Sequence, residues 1–392
     1  MRGRTGGVRA ALAAAIVSMT AGIASAETLK DALTKTYNTN PDLAAERASV
    51  REVDEGVSQA RAKWRPSVSL EAEVERESGK VTNEFGKFDT RSESWSAEMV
   101  ARQPLFTAGR NGLTLRTAMA SVRAARARLR AKEQRVLLEA ASAYVNAARN
   151  EIVLDLVRED ITLLQQLLRE VTARRDAKRA TESDVDQTVA ALEAARAQCL
   201  SDLAAMQDSW RAYEQVVGEP PPVIAPEGTG PQVNPCVDPQ GARLHSTLSL
   251  PVDLVATPGS ADAVERAAQG AVPELDEARA EEELSSYRVS ASYAELLPSA
   301  SLTARVGAGG ENFDPQWEDR QASIGAELVV PIFNTGAEWS EIRAAREANN
   351  RARLNIASRQ RQVMRDALHA WYDLVSIRAV RSVNKAQAQT LL

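Results

Sequence analysis

The spacing of apolar residues changes several times along the chain, and each change predicts a new structural element. Between Pro41 and Trp64 apolar residues recur every three or four positions, which is typical of an amphipathic helix. From Ser67 to Glu75 they alternate with polar residues, as in a strand with one wet face. A polar stretch, 78–94, comes before the alternation resumes at Trp95. The pattern therefore predicts a β-hairpin whose two strands are joined by that polar stretch.

A helical spacing then returns and continues over 113–176 without a glycine or a proline. A single helix over 115–165 would be about 75 Å long, a length that indicates a coiled coil rather than a globular core. The pattern predicts a turn within 174–183 and a helix that returns from it. Thr181 or Ser183 is expected to cap that returning helix.

The same order of elements occurs twice. Pro41-Asp42-Leu43 recurs as Pro273-Glu274-Leu275, 232 positions later, and Pro104 recurs as Pro331, 227 positions later. The sequence therefore predicts two structural repeats. At the second spacing the last residue of the chain matches position 165, so the second repeat is expected to lack the turn and the returning helix.

The repeats define the predicted domain boundaries. A Pro/Gly-rich linker, 218–259, holds nine of the chain's 16 prolines and is expected to have little regular structure. It follows a first repeat, 27–217, made of a helix, a β-hairpin and a long helical hairpin. It precedes a second repeat, 260–392, that is expected to be incomplete at its C-terminus.

Residues 1–26 have the pattern of a secretory signal peptide. Three arginines precede the apolar run 10–24, and the small residues at 24–26 form a cleavage site before Glu27. The sequence therefore predicts an exported mature chain that begins at Glu27. Because glutamate rather than cysteine follows the cleavage site, we expect no lipid anchor there.

Composition and charge exclude several classes of function. The net charge of −5 and the pI near 5.5 argue against a nucleic-acid partner. Aromatic residues make up only 4%, and much of the apolar share is alanine, which suits long helices packed side by side. His245 and His369 lie far apart with no cysteine at metal-ligand spacing, and no catalytic motif is present. We therefore expect neither an enzyme nor a cofactor.

The chain has two cysteines, Cys199 and Cys236. An oxidising compartment would permit a disulfide between them. Cys199, however, falls in the apolar spacing of the returning helix, where a small buried side chain fits the seam between helices. The sequence therefore favours a buried free thiol over a disulfide.

Four alternating strands, two in each repeat, suggest a membrane sheet. Strands of about ten residues with one apolar and one polar face are those of a membrane barrel with a wet lumen. Backbone groups in lipid must be paired, and four strands are too few to close a barrel, so it would be shared between subunits. Three subunits fit better than two, because an eight-stranded barrel leaves little water for charged residues expected to face the lumen. These are Glu71, Glu73, Glu75, Glu98, Arg305 and Glu327. The alternative is a soluble antiparallel sheet with one wet face.

Motifs at the junctions between elements carry a resemblance to a known family. Trp64-Arg65-Pro66-Ser67 and Leu297-Pro298-Ser299 end a helix and begin a strand. The runs 103–109 and 330–336 share the pattern Pro-x-Phe-x-x-Gly and lead from a strand into a long helix. Thr181 to Gln187 begins the returning helix. With these motifs in this order, the chain resembles TolC-like outer-membrane efflux and type I secretion channels over nearly its whole mature length.

The resemblance implies a mainly α fold with a small β part. Each protomer would supply a long antiparallel α-helical coiled-coil barrel plus four membrane β-strands, shared in a trimeric 12-stranded barrel. The trimer would be an outer-membrane conduit with a periplasmic extension, for efflux of small molecules or for type I protein secretion. The expected partners are two further copies of the chain, outer-membrane lipid, a periplasmic adaptor protein and an inner-membrane transporter.

Two sets of residues would serve that function. The junction between barrel and tunnel would consist of Pro66, Pro104, Phe106, Gly109, Pro298, Pro331, Phe333 and Gly336. At the periplasmic tip, the candidate residues for contact with the adaptor are Arg175, Lys178, Thr181 and Asp184. The family usually has a phenylalanine and a glycine where this chain has Arg175 and Lys178, so the choice of adaptor does not follow from the resemblance.

Two other interpretations stay open on the sequence. The chain could be a non-functional truncated fragment of such a channel. In that case the apolar seam of its last helix, which includes Ile342, Ile356 and Val363, would lack a full set of neighbours and the chain would assemble poorly. It could instead be a periplasmic coiled-coil adaptor or structural protein, although adaptors carry one helical hairpin between β-domains rather than two β-hairpins in register.

Overall fold

The computed structural model describes residues 27–83, 86–224, 236–237, 245–246, 248, 257–270, 272–311, 318–333 and 335–390. The predicted signal peptide, 1–26, and most of the predicted linker lie outside these residues. The chain folds into two compact units. Unit 1 comprises Met1–Asn40 and Leu137–Leu254, and unit 2 comprises Pro41–Val136 and Val255–Leu392. Each unit therefore combines distant parts of the sequence.

Unit 1 is built around a long helical hairpin. Helix α3, Arg110–Asp176, contributes its residues from Leu137 onward, and helix α4, Glu182–Val217, returns from the turn. The long unbroken helix and the position of its turn are thus confirmed. Thr181 caps α4, since its hydroxyl accepts from the Asp184 amide and its own amide donates to the Asp184 carboxylate.

A short helix, α1 (Leu29–Thr39), completes the helical part of unit 1 and is missing from the sequence-based prediction. It begins with a capping box in which the Thr28 amide donates to Asp31 Oδ2 at 3.1 Å and the Asp31 amide donates to Thr28 Oγ1 at 3.3 Å. The Thr-x-x-Asp spacing is a helix-start signal that the apolar pattern alone overlooks. Two short strands, β3 (Val223–Ile224) and β4 (His245–Ser246), pair antiparallel within the linker.

Cys199 and Cys236 form a disulfide, so the expectation of a buried free thiol is wrong. Cys199 is a small buried residue of the helix seam, as its spacing indicates. The spacing could not reveal that the linker brings Cys236 into the same apolar cluster, beside Leu154, Ile161 and Met206. Burial of the first cysteine therefore does not argue against a disulfide when the second is buried with it.

Unit 2 contains a four-stranded antiparallel sheet. Its strands are β1 (Ser67–Asn83), β2 (Gly86–Phe106), β5 (Ser299–Glu311) and β6 (Glu318–Val329), in the order β1-β2-β5-β6. The two predicted hairpins are confirmed, and the pairing of β2 with β5 joins them into one sheet.

The strands of the first hairpin are longer than the sequence predicts. The polar stretch 78–94 belongs to the strands, because the β1–β2 pairing continues as far as Asn83 opposite Gly86. Backbone hydrogen bonds hold a strand pair together, so polar side chains on both faces do not end it where both faces are wet. The alternating pattern of the sequence therefore predicts only the part of each strand that has one apolar face, and it misses the rest.

Helices α2 (Pro41–Ala62), α5 (Ala261–Ala268), α6 (Pro273–Ala294) and α7 (Ala337–Thr390) complete unit 2 with the first part of α3. Cross-helix ion pairs are frequent here. Arg123 makes a two-pronged contact with Glu283, and Arg128 Nε lies 2.8 Å from Glu277 Oε1. Lys132, which breaks the apolar spacing of α3, lies 2.7 Å from Asp42. Charged contacts thus replace apolar ones along part of these seams.

Within the ranges that the structure describes, none of the helices combines the length and the apolar content needed to cross a bilayer.

Candidate functional site

The register of the sheet separates its side chains into a charged face and an apolar face. Glu71 on β1 lies opposite Glu98 on β2. Arg305 on β5 lies opposite a β2 residue two positions from Glu98, and Glu327 on β6 lies opposite a β5 residue four positions from Arg305. Opposite and alternate residues of a sheet point to the same side. The predicted lumen residues therefore share one face: Glu71, Glu73, Glu75, Glu98, Arg305 and Glu327.

The opposite face presents a continuous exposed apolar surface. Leu70, for example, is 72% exposed. Along β1 this surface runs from Val68 to Val74, about 20 Å at the rise of an extended strand. A patch of this extent on an isolated chain indicates a surface that lipid or another protein covers. Its large side chains are Val68, Leu70, Val74, Met99, Val306, Ile324 and Leu328.

Charged residues end the apolar surface on the first hairpin. Arg76 and Glu93 lie directly opposite each other, one alternate step beyond Val74, and Arg76 Nε is 3.1 Å from Glu93 Oε1. The apolar surface therefore forms a band of limited height. Just beyond it, Glu77, Ser78 and Lys80 continue β1 with polar side chains, as expected where a strand leaves a lipid layer for water.

The charged face carries more carboxylates than cations. Arg102 Nη2 lies 3.4 Å from Glu327 Oε2, and both side chains are more than half exposed. An exposed pair of this kind contributes little to stability. The pair shows that this face of the sheet carries charged groups that need water, whereas the opposite face is apolar.

Both edges of the sheet are open in the described part of the chain. There, β1 pairs with β2 alone and β6 pairs with β5 alone. Each edge therefore presents backbone donors and acceptors to its surroundings, and long open edges favour pairing with a further strand.

The two strand-to-helix junctions have the same backbone conformation. Gly109 has φ 83° after Ala108 at φ 49°, and Gly336 has φ 81° after Thr335 at φ 57°. Two consecutive left-handed residues make a sharp turn, which glycine adopts without strain and a residue with a β-carbon does not. Helix α3 begins directly after Gly109 and α7 directly after Gly336. The sequence repeat is thus a repeat of backbone geometry.

The four junction prolines lie at strand boundaries or irregularities. Pro66 immediately precedes β1 and Pro298 immediately precedes β5. Pro331 follows the end of β6, and at Pro104 the register of β2 against β5 shifts. Proline lacks an amide donor, so these are places where a sheet tolerates it. The aromatic residues Phe106 and Phe333 are exposed at the same junctions.

Side-chain amides tie the first junction to the end of α2. Gln103 Nε2 donates to Trp64 O at 3.0 Å, and Asn111 Nδ2 donates to Lys63 O at 2.9 Å. These bonds satisfy carbonyl groups that the helix end leaves without partners. The junction motif in the sequence includes Gln103 but predicts no contact for it, and it leaves out Asn111, because neither contact can be known before the fold is.

The four predicted tip residues lie in and beside the turn between α3 and α4, with Arg175 in the last turn of α3 and Asp184 in the first turn of α4. Arg175 contacts Asp176 and Glu182, at 2.9 Å and 3.4 Å. Lys178 is exposed and has φ 59°, the left-handed conformation that favours glycine. The turn therefore keeps the backbone shape of a glycine turn with a lysine in its place.

The capping box of α4 also sets the charge state of the tip. Hydrogen bonds from the Thr181 amide and hydroxyl lower the pKa of Asp184 below its usual value. The Asp176 carboxylate raises the pKa of Arg175 through a hydrogen bond. Both groups are therefore held in their charged forms where α3 ends and α4 begins.

Among the described residues, no group of three or more histidine, cysteine, aspartate and glutamate side chains is placed to hold a metal ion. The chemistry that the structure does present is that of surfaces: an apolar band, a charged face and two open sheet edges.

Comparisons with known proteins agree with this arrangement. Residues 32–219 match the family model described as outer membrane efflux protein. The outer membrane efflux protein BepC of Brucella suis biovar 1 (strain 1330) is 27% identical over 372 residues, a match that covers 94% of this chain and 74% of that protein.

Solved structures with the same fold include two channel proteins. The Campylobacter jejuni outer membrane channel CmeC has a TM-score of 0.71 at 15% identity, covering 92% of this chain and 74% of that one. CusC, whose structures concern transmembrane channel formation, has a TM-score of 0.69 at 16% identity, covering 92% and 78%. These likenesses confirm the predicted fold class, and the family match rules out the adaptor interpretation. It also places the chain in the outer membrane with a periplasmic helical extension, as a channel protein and not an enzyme. The chain is thus similar to the outer membrane efflux protein family over residues 32–219, and to BepC over most of its length.

Proposed function

We propose that three copies of the chain assemble into one export conduit through the outer membrane. The observation that carries the proposal is the separation of a charged face from an exposed apolar face on a sheet with two open edges. In lipid, every backbone donor and acceptor on those edges needs a partner. Pairing β1 of one copy with β6 of the next supplies these partners and places all apolar faces outward.

The charged face supports three copies rather than two. Two copies would give eight strands, and the interior of such a barrel is just wide enough to be filled by side chains. Glutamates such as Glu71, Glu73 and Glu98 would lose their water there, at a high cost in free energy. Twelve strands enclose a wider lumen in which these groups stay hydrated.

The helical hairpin of unit 1 would carry the conduit through the periplasm to its partners. We assign contact with a periplasmic adaptor to the turn that contains Arg175, Lys178, Thr181 and Asp184, and the driving force to an inner-membrane transporter that the adaptor recruits. Residues 1–26 would direct export of the chain and be removed. What the conduit carries is efflux cargo, in keeping with the family.

The mass and conductance of the purified protein test the proposal. The full chain is produced with its leader, extracted from outer membranes in mild detergent, weighed by native mass spectrometry and inserted into planar bilayers. We expect a mass of three chains and discrete conductance steps. A mass of two chains, or a single chain that conducts, would overturn the shared twelve-stranded barrel.

A further inference from the structure

Glu27 is a buried carboxylate in unit 1. Its side chain is only 6% exposed, and its carbonyl oxygen accepts a hydrogen bond of 2.7 Å from the fully buried Tyr144 hydroxyl. The next residue, Thr28, caps α1. Backbone and side chain of Glu27 are thus both fixed, although it is the first residue after the predicted signal peptide.

The charges around Glu27 are not balanced. Lys35 Nζ lies 3.0 Å from Glu27 Oε1 and 3.1 Å from Glu219 Oε2, so two carboxylates share one ammonium group. The pKa of Lys35 is raised, first by its contact with Glu27 and then by Glu219. Burial raises the pKa of Tyr213, and the negative charge of Glu27 raises it further. The pKa of Lys35 is thus raised mainly by the two carboxylates, and Glu27 adds to the effect of burial on Tyr213.

The carboxylate of Glu27 also has few donors around it. Its carboxylate is contacted by Lys35 Nζ and the Tyr213 hydroxyl, but neither carboxylate oxygen makes a hydrogen bond of good geometry with them. A buried carboxylate without well-formed hydrogen bonds is costly, since it has given up water without an equal replacement. The site therefore calls for a further donor that carries positive charge.

We propose that removal of the signal peptide supplies that donor. Hydrolysis of the Ala26–Glu27 peptide bond by signal peptidase consumes one water, leaves a carboxylate on Ala26, and frees the α-amino group of Glu27, which takes up a proton. The resulting ammonium has three N–H donors and a positive charge on the same residue as the buried carboxylate. Before cleavage, the same nitrogen is a neutral amide with one N–H. Cleavage thereby supplies unit 1 with the missing charged donor, and it also frees the mature chain from the signal peptide.

The short distance between the apolar run of the signal peptide and Glu27 supports the proposal that cleavage comes before unit 1 is complete. Only Ser25 and Ala26 separate the apolar run from Glu27, and an extended chain spans at most about 10 Å over that distance. Without cleavage, the apolar segment of the signal peptide would therefore stay within that distance of Glu27. The inference takes export from the proposed function but does not depend on a trimer or a conduit.

The test compares two mature chains that differ only at the N-terminus. Chain 27–392 is released from a fusion partner so that it begins at Glu27, and chain 25–392 is released in the same way so that Ser25 and Ala26 remain. We expect the thermal midpoint of the longer chain to be about 5 °C lower, because its ammonium lies two residues from the carboxylate. Equal midpoints would overturn the proposal.

Two substitutions show whether the difference comes from Glu27. In Glu27→Gln the buried group is neutral, so the midpoints of the two chain lengths should converge. In the control Glu219→Gln, which alters the exposed carboxylate beside the same lysine, the difference should persist. A difference that survives Glu27→Gln would contradict the proposal.

Two further measurements do not depend on the folding of any variant. Intact-mass analysis of the exported protein should give Glu27 as its first residue. In the folded 27–392 chain, an amine-reactive reagent should modify the α-amino group at least tenfold more slowly than in the unfolded chain. A different first residue, or equal rates, would overturn the proposal. Native mass and conductance, measured on the same sample, would separately report failure of the proposed conduit.

Discussion

At the scale of single residues, one step along β1 changes the environment completely. Ser69 and Leu70 are neighbours in sequence, but they point to the charged and the apolar faces. The sequence alone predicted this division, because side-chain direction in a strand follows from the count of residues. It could not show which amide side chains satisfy the helix end at the first junction, since that depends on contacts across the fold.

This division predicts unequal effects of the same substitution at the two positions. Leu70→Arg should cost about 2–4 kcal/mol in the free energy of unfolding from a bilayer, as a cation does on a lipid-facing strand. Ser69→Arg, on the charged face, should cost less than about 1 kcal/mol. Urea unfolding in lipid vesicles, followed by tryptophan fluorescence, measures both. Equal costs would mean that the apolar face does not meet lipid.

Lys178 offers a second test at this scale, because its left-handed backbone is strained for any residue with a β-carbon. Lys178→Gly should raise stability by about 1 kcal/mol. Lys178→Ala removes the same charge but keeps the β-carbon, so it should bring no comparable gain. Thermal midpoints of the three proteins decide the matter. A gain from alanine equal to that from glycine would attribute the effect to charge rather than to backbone strain.

At the scale of elements, the sequence predicts correctly what depends on residues that are close in the chain, and it fails where distant residues meet. The long helix α3 is local: no glycine or proline interrupts it, and its spacing predicts its course. The disulfide is not local, because Cys236 reaches the α4 seam through a linker whose path the sequence does not specify. The prediction of a free thiol was wrong for that reason.

The disulfide closes a loop of 37 residues and should therefore contribute substantially to unit 1. By the entropy of loop closure, its loss should cost about 4 kcal/mol. The double variant Cys199→Ala/Cys236→Ala should unfold at lower denaturant concentration, and adding reductant should not change its midpoint. The wild-type midpoint should fall toward that value when reductant is present during unfolding. No shift in either experiment would show that the linker is held by packing alone.

The capping box at the tip predicts a dependence of helix stability on pH. Thr181 lowers the pKa of Asp184 in the folded state, so the charged carboxylate stabilises the start of α4 above its unfolded pKa. This contribution is lost as the pH falls through the folded pKa. Hydrogen exchange of the first α4 amides should therefore accelerate on acidification relative to the middle of the helix. In Asp184→Asn the two rates should keep a constant ratio, and a changing ratio would point to another group.

At the scale of the whole molecule, the described part of the chain leaves one apolar face and two edges of its sheet uncovered. The alternating pattern predicts strands, and lipid physics predicts closure, but neither specifies which edge meets which. That information lies in the open edges of β1 and β6, which the sheet order reveals and the sequence does not. The proposed number of three copies rests, in addition, on the charge of the face assigned to the lumen.

Cross-linking between the two edges provides the decisive test of closure. Since the described chain has no free cysteine, new thiols at the edges can be joined specifically. A cysteine at Glu73 on β1 is combined in turn with one at Gln321, Ser323 or Gly325 on β6, all on the charged face. A short bifunctional thiol reagent should give covalent dimers and then trimers on denaturing gels, with the trimer as the end product. As a matched control, cysteines at Glu73 and Ser96, which are paired within one chain, should react without any gain in size. A ladder that ends at the dimer, or one that continues beyond the trimer, would contradict a closed ring of three, because only a closed ring consumes every edge at that number.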